Sequence, residues 1–380
     1  YPAYKFPRGI NSRSDVYKCM VGPIFKLIEK EVFSLPYFIK KVPVKDRPAY
    51  ILEMMAASGF TFMATDYETF EALFSKELME ACEFQLYEYM TKHLPDHYEF
   101  MSRIRDAMLG ENVCEFKRFK MTTRARRMSG EMCTSLGNGF TNLLVTLFLA
   151  HLKNAEVVGV VEGDDGLFRF STNCYPSAQD YERLGMKIKI DLVDDLSAAS
   201  FCGLVFDPTD KANIVDPIDV LCNFGWTTRQ YARASTSKLR TLLRCKALSL
   251  AHQYPGCPIV QSLAQYGLRV TRSYDVRSII DKDRNFSNTW ERDILIAAIK
   301  DEKKIQAVEV GYGSRCLMER KFGIPIDIQR IVEEKLDGMT ELKPIELSVL
   351  LPLAPPDAVD YYLNYVVENC NLNHKMVNYP

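Results

Sequence analysis

Apolar residues recur at three- and four-residue steps between residues 16 and 34, where Val21, Ile24, Phe25, Ile28 and Val32 predict an amphipathic helix. Residues 1–15 before it are polar and basic, carry Pro7 and Gly9 and show no helical period, which predicts an extended or looped segment. Residues 59–65, Gly-Phe-Thr-Phe-Met-Ala-Thr, predict a buried strand that ends at Asp66. Phe70, Leu73, Phe74, Leu78 and Cys82 then share one face of a predicted long helix. Residues 93–128 are more polar and end in a basic extended run from Cys114 to Met128. Ser129-Gly130 opens a segment that passes into a helix reaching about residue 150. The β-branched and glycine run Val157–Val161, the turn Glu162–Gly166 and the returning Leu167–Phe170 predict a hairpin. A helix and strand are expected over 177–191 and a further strand over Ser200–Phe206. From about residue 228 the pattern is mainly helical, interrupted at Pro255, Pro258, Pro325 and Pro352–Pro356. This order predicts an α+β sheet domain with helices attached to one side, followed by a mostly helical domain.

Composition agrees with a folded protein. Apolar residues make up 47% and charged residues 26%, which is ordinary for a globular chain. The 380 residues suggest two or three packed subregions. A net charge of −1 gives no basic excess, but a basic channel can coexist with an acidic outer surface. Eleven cysteines occur without a C-x-x-C pair, which argues against a zinc ribbon or a dithiol redox site and for reduced thiols in a cytosolic protein. The longest apolar stretch, near Asn142–Leu152, is too short to span a bilayer. The opening Tyr-Pro-Ala-Tyr-Lys has no signal peptide and no initiator methionine, and is expected to be the start of an excised fragment.

Gly163-Asp164-Asp165 sits at the tip of the predicted hairpin. Taken alone it is an ordinary solvated turn, in which Asp and Gly are common. The flanking strands hold it at the edge of a core, and a second strand ends in Asp66. If the strands are neighbours, Asp66 and Asp164 project from the same sheet edge and form a hard-oxygen site suited to Mg²⁺ or Mn²⁺. Two such ions, about 3.5–4 Å apart, can stabilise the attacking and leaving oxygens of an in-line phosphoryl transfer. In Arg127-Met128-Ser129-Gly130-Glu131-Met132-Cys133-Thr134-Ser135-Leu136-Gly137-Asn138, Thr134 and Asn138 are four apart and share a helix face. A hydroxyl and an amide there can read a sugar hydroxyl; an N-capped helix with Ser129 as its cap and solvated Thr134 and Asn138 reads equally well.

Asp66, then Ser129-Gly130-x-x-x-Thr134-x-x-x-Asn138, then Gly163-Asp164-Asp165 together resemble motifs A, B and C of positive-strand viral RNA-dependent RNA polymerases. The segment Arg127–Asn138 is most similar to tombusvirus-like and nodavirus-like members. The resemblance implies a right hand of fingers, palm and thumb: fingers parts at 1–50 and 93–128, an antiparallel palm sheet with helices at 51–92 and 129–210, and a helical thumb at 211–380. It also implies that Asp66, Asp164 and Asp165 bind the metal ions. Glu71 stands where the family usually carries a ribose-sensing aspartate; the charge is kept and the reach is longer. With Thr134 and Asn138 it would recognise the ribose, while Ser129 and Gly130 form the mobile loop beside the template base.

Lys5, Arg8 and Arg13 resemble the basic fingers strand over the incoming triphosphate. Arg124, Arg126 and Arg127 would grip template phosphates, or form a solvated edge. Gly185–Lys189 resembles motif D, in which Lys187 is preferred over Lys189 as general acid for the pyrophosphate. Ser200-Phe201-Cys202-Gly203 resembles motif E; a plain core strand reads there nearly as well. Cations of the run Ser237–His252 would face duplex product, or solvent. The implied partners are RNA template and product, ribonucleoside triphosphates and other viral replication proteins. The implied location is the host cytoplasm, in membrane-associated replication complexes reached through parts outside this chain. A reverse transcriptase and a non-catalytic palm that binds RNA or scaffolds a partner are the competing readings.

Overall fold

The computed structural model describes residues 9–56, 60–171, 174–227, 229–277, 279 and 289–367. The chain forms two compact units, residues 1–42 with 50–202, and residues 43–49 with 203–380. The division cuts across the expected segments: residues 43–49 of the expected fingers part and 203–210 of the expected palm fall in the second unit.

The first unit begins with α1 (Asp15–Val32). Ser14 caps it by accepting from the Tyr17 amide, and the predicted stripe Val21, Phe25, Ile28 and Val32 is buried. Phe25 meets Tyr87 and Phe100 edge-on, with ring centroids 5.2 and 5.3 Å away; each buried ring contributes roughly 1.5–3 kcal/mol through area removed from water. After α2 (Arg47–Met55) comes strand β1 (Phe60–Tyr67). The predicted long helix is broken into α3 (Phe70–Leu73), α4 (Lys76–Ala81) and α5 (Glu83–Thr91). Phe74 turns extended, and the Ser75 hydroxyl accepts from the Leu78 amide and restarts the helix. The apolar face was read correctly: Phe70, Phe74 and Cys82 are buried. Continuity was not, because the local cap outcompetes one more helical turn.

The polar stretch after residue 93 contains helix α6 (His97–Leu109), which its charged surface concealed. A hairpin of β2 (Glu111–Glu115) and β3 (Lys120–Arg124) follows. Helix α7 (Thr134–Leu152) is buried along most of its length. Strands β4 (Val157–Glu162) and β5 (Asp165–Ser171) form the predicted hairpin. Helix α8 (Ala178–Glu182) leads to β6 (Ile188–Val193). The four long strands make one antiparallel sheet in the order β4-β5-β1-β6.

The second unit has one small strand pair, β7 (Val205–Phe206) with β8 (Asn213–Ile214). The strand expected over Ser200–Phe206 is therefore reduced to its last two residues, because Cys202 and Gly203 both take positive φ and turn the chain. The rest is helical: α9 (Pro217–Asn223), α10 (Thr236–Gln253), α11 (Val260–Val270), α12 (Thr289–Lys300), α13 (Tyr312–Phe322), α14 (Ile326–Gly338) and α15 (Pro356–Tyr362). Its core gathers Val260, Leu263, Tyr266, Leu317, Met318, Val332 and Leu336. Among the described residues no helix is long and apolar enough to cross a membrane, and the cysteines are free thiols.

Candidate active site

Sheet register places the carboxylates. Thr65 of β1 pairs with Gly166 of β5, so one step further along the antiparallel ladder Asp66 lies beside Asp165. Asp165 itself pairs with Glu162 across the β4-β5 turn. Gly163 sits in that turn at φ +64°, a left-handed backbone that disfavours a side chain. The Asp165 carboxyl is half-buried and is pushed up to about 6, by burial first and then by the charges of Asp164, Asp66 and Glu162, with Cys202 hydrogen-bonding against the trend. Four carboxylates therefore repel one another at one end of the sheet.

Among the described residues no three His, Cys, Asp or Glu side chains already converge as a metal cage. The donor set still fits a hard divalent cation. It consists of carboxylate oxygens, and a cation there would offset both the burial and the neighbouring negative charges that push Asp165 up.

Helix α7 closes over this edge. Gly139 faces the turn: a Cβ built on it would stand 3.5 Å from the Gly163 amide nitrogen, at ordinary van der Waals contact. The residue before it, Asn138, is 3% exposed. Its Nδ2 donates to Glu71 Oε1 at 3.4 Å, and its Oδ1 is buried with no partner. The structure thus brings Asn138 and Glu71 together. Thr134, the first residue of α7, points its hydroxyl elsewhere: it donates toward the Met128 and Glu131 carbonyls at 3.2 and 3.0 Å. Its hydroxyl closes the Ser129-Gly130 loop. Ser129 is not the helix cap, a position held by Cys133. The Ser129 carbonyl accepts from the Asn11 amide at 2.8 Å, and Gly130, at φ +105°, packs against Ile10 and Asn11.

Residues 43–262 match the protein family described as viral RNA-dependent RNA polymerase. The chain belongs to that family. It is 26% identical over 240 residues to an RNA-directed RNA polymerase of Striped jack nervous necrosis virus, covering 60% of this chain and 24% of that protein. It is 30% identical over 122 residues to the RNA-directed RNA polymerase of Atlantic halibut nervous necrosis virus, covering 30% of this chain and 12% of that protein. The chain thus spans about a quarter or less of the curated relatives it matches. The fold agrees with the crystal structure of the RNA-dependent RNA polymerase of a human picorbirnavirus, at a TM-score of 0.55 and 12% identity, over 76% of this chain and 59% of that one. The expected α+β polymerase fold is the observed one.

The basic residues of this viral polymerase-family chain divide by burial. Lys5 and Arg8 lie outside the described residues. Arg13 Nη2 donates to Glu131 Oε1 at 2.5 Å, and its Nη1 to Asn112; its cation is already paired. Arg124 is exposed on β3. Arg126 donates to the Phe74 carbonyl at 2.9 Å and the Ala72 carbonyl at 3.4 Å, so it tethers the short helix that carries Glu71. Arg127 corrects the sequence expectation of a phosphate contact. Its side chain and that of Glu83 are fully buried and joined in an ion pair, and its guanidinium lies 4.6 Å over the Phe74 ring. Tyr87 donates to the other Glu83 oxygen at 2.7 Å. Burial works most strongly against the Arg127 charge, but Glu83, with Cys133, Tyr87 and Glu131, together outweighs it and holds the guanidinium well above its ordinary value.

Lys187 precedes β6, with its ammonium 2.6 Å from Glu68 Oε2. A hydrogen bond and the charge of Glu68 raise its pKa. Lys189 stands opposite Asp66 in the register.

Sequence reasoning missed Asn142. It is fully buried, and its Nδ2 donates to the carbonyls of Gly163, Asp164 and Asp165 at 3.3, 3.0 and 3.1 Å. A signal was present. Thr134, Asn138, Asn142 and Thr146 fall at steps of four, a polar stripe along an apolar helix.

Proposed function

We propose that the chain catalyses RNA-templated RNA synthesis by metal-dependent nucleotidyl transfer and serves to replicate a viral RNA genome. The observation that carries this reading is the arrangement of Asp66 and the Gly163-Asp164-Asp165 turn at one sheet edge, with the Asn138–Glu71 pair beside them. Family membership supports it. In the reaction a primer 3′-hydroxyl oxygen bonds to the α-phosphorus of a ribonucleoside triphosphate, and pyrophosphate leaves. Mg²⁺, for which Mn²⁺ can substitute, would supply charge neutralisation and a lowered hydroxyl pKa when held by Asp66, Asp164 and Asp165.

The protein's own groups do the rest. Glu71 accepts, and the orphaned Asn138 Oδ1 accepts, hydrogen bonds from the ribose. A site built this way disfavours a deoxyribose, because its polar groups would stay unpaired. Lys187, kept protonated by Glu68, donates to the departing pyrophosphate. Lys5 and Arg8 oppose triphosphate charge, Arg13 stays on Glu131, and Arg124 takes a template phosphate. RNA and nucleotides are the partners, and other viral replication proteins join through surfaces or segments elsewhere. The site of action is the host cytoplasm, with membrane attachment supplied from outside this chain.

The test is incorporation of labelled ribonucleotides on a primed RNA template with Mg²⁺ or Mn²⁺, in the native chain and in Asp164→Ala. Metal-dependent extension lost in Asp164→Ala supports the reading. Extension that survives in Asp164→Ala overturns the metal assignment. A preference for deoxyribonucleotides favours a reverse transcriptase, and inactivity of a longer natural chain favours a palm that only binds RNA.

A further inference from the structure

We propose that Asn142 is the positioning residue that sets the geometry of the Gly163–Asp165 turn, with Tyr67, Thr146 and Tyr181 as its buried support. The inference rests on the polymerase reading for its functional consequence, but its geometry stands on its own.

An Asn amide has two hydrogens, and three turn carbonyls lie within 3.3 Å of Nδ2. Two protons are thus shared among three acceptors, and the amide sits where the three carbonyl dipoles point. The reverse orientation would set the Asn142 oxygen against three carbonyl oxygens. Tyr67 fixes the orientation from the other side, donating its hydroxyl to Asn142 Oδ1 at 3.4 Å. Tyr67 directly follows the metal-ligand candidate Asp66.

The support continues along α7. Thr146 donates to the Asn142 carbonyl at 3.0 Å and meets the Tyr181 hydroxyl at 3.0 Å. Tyr181 belongs to α8, just before the segment that carries Lys187. Asn142, Thr146 and Tyr181 are fully buried and Tyr67 nearly so. Buried polar networks of this kind rigidify the groups they join, because a broken hydrogen bond there leaves a buried polar atom unpaired.

The turn needs such a restraint. Its backbone carbonyls at Gly163 and Asp164 lie past the paired rungs of the β4-β5 ladder. Helix α7 lies close enough to the turn for a short Asn side chain to reach all three carbonyls. Asn142 touches neither substrate nor carboxylate oxygen, so it acts through the turn.

The test compares the native chain with Asn142→Leu, which keeps the side-chain size and removes donor and acceptor, and Tyr67→Phe, which removes only the hydroxyl. Three quantities are read: hydrogen exchange of the turn amides, Mn²⁺ affinity by electron paramagnetic resonance, and ribonucleotide incorporation. In Asn142→Leu the turn amides are expected to exchange about tenfold faster or more, and Mn²⁺ to bind about 10- to 100-fold more weakly. kcat falls while KM for the ribonucleotide holds, since Asn138 and Glu71 are untouched. Tyr67→Phe shows the same pattern at smaller size, and decides the matter should Asn142→Leu not fold. Native exchange and native Mn²⁺ affinity in both variants overturn the proposal, as does faster exchange spread evenly over the whole sheet. Absence of incorporation by the native chain would instead count against the polymerase reading, leaving turn exchange to decide the role of Asn142.

Discussion

Replacing Arg127 by alanine is the sharpest separation between a residue that grips RNA and one that holds the fold. The change strands Glu83, whose side chain is fully buried, with only the Tyr87 hydroxyl as partner. Removing one member of a buried pair typically costs about 3–5 kcal/mol, because an uncompensated charge or a forced protonation remains. It also removes the packing over Phe74. For a unit of about 200 residues, each kcal/mol shifts Tm by about 2–4 °C, so a fall of about 10 °C is expected. Scanning calorimetry on the native chain and Arg127→Ala reads it. A double change, Arg127→Met with Glu83→Leu, should recover most of the loss, since no charge is left to pair. Exposed Arg124→Ala provides the contrast: an unchanged Tm, weaker RNA binding and a salt slope reduced by about one. A native Tm in Arg127→Ala, together with an RNA-binding loss like that of Arg124→Ala, would refute the burial argument.

The pH response of the metal-free protein follows from Asp165. Its folded value of about 6 exceeds its ordinary 3.8, so the folded state holds the extra proton; the contribution is present below about pH 4 and lost as pH rises through about 6. Allowing for partial exposure, about 1–2 kcal/mol should disappear across that window, measured by denaturant midpoints in EDTA, and Asp164→Asn should flatten the slope by removing the largest neighbouring charge. Glu71→Ala and Asn138→Ala should each reduce the preference for ribonucleotides over deoxyribonucleotides by about 10- to 100-fold in single-turnover competition. Gly163→Ala should cost about 1 kcal/mol through its left-handed backbone, without a clash, because nothing lies within 4 Å of the added methyl; Gly163→Asn should cost less in the same denaturation assay.

What the sequence disclosed depended on how local the controlling physics was. The β4-β5 hairpin was readable because β-branched runs flank a Gly-Asp turn, and chemistry and geometry lie within a dozen residues. Asp66 at a strand end was readable for the same reason. Arg127 was misread because its partner Glu83 is 44 residues away, and a charge pattern along the chain carries no trace of such a pairing. Thr134 was placed on the sugar side by helical spacing, which holds only inside a helix; it stands at the first turn, where the open loop carbonyls capture its hydroxyl. Asn142 escaped notice because it lies in an apolar run, where a single amide looks incidental until the turn it supports is seen. The break after Phe74 depended on one serine cap, a contest too close for an apolar period to decide.

Helix α7 carries Asn138 and Asn142 four residues, about 6 Å, apart on one rigid rod. One faces Glu71; the other grips the aspartate turn. Any sideways drift of that rod displaces both, so on the proposed reading sugar selection and metal binding are geared to a single part. Variants isolated for altered sugar preference should then carry altered Mg²⁺-to-Mn²⁺ ratios even when no carboxylate has changed.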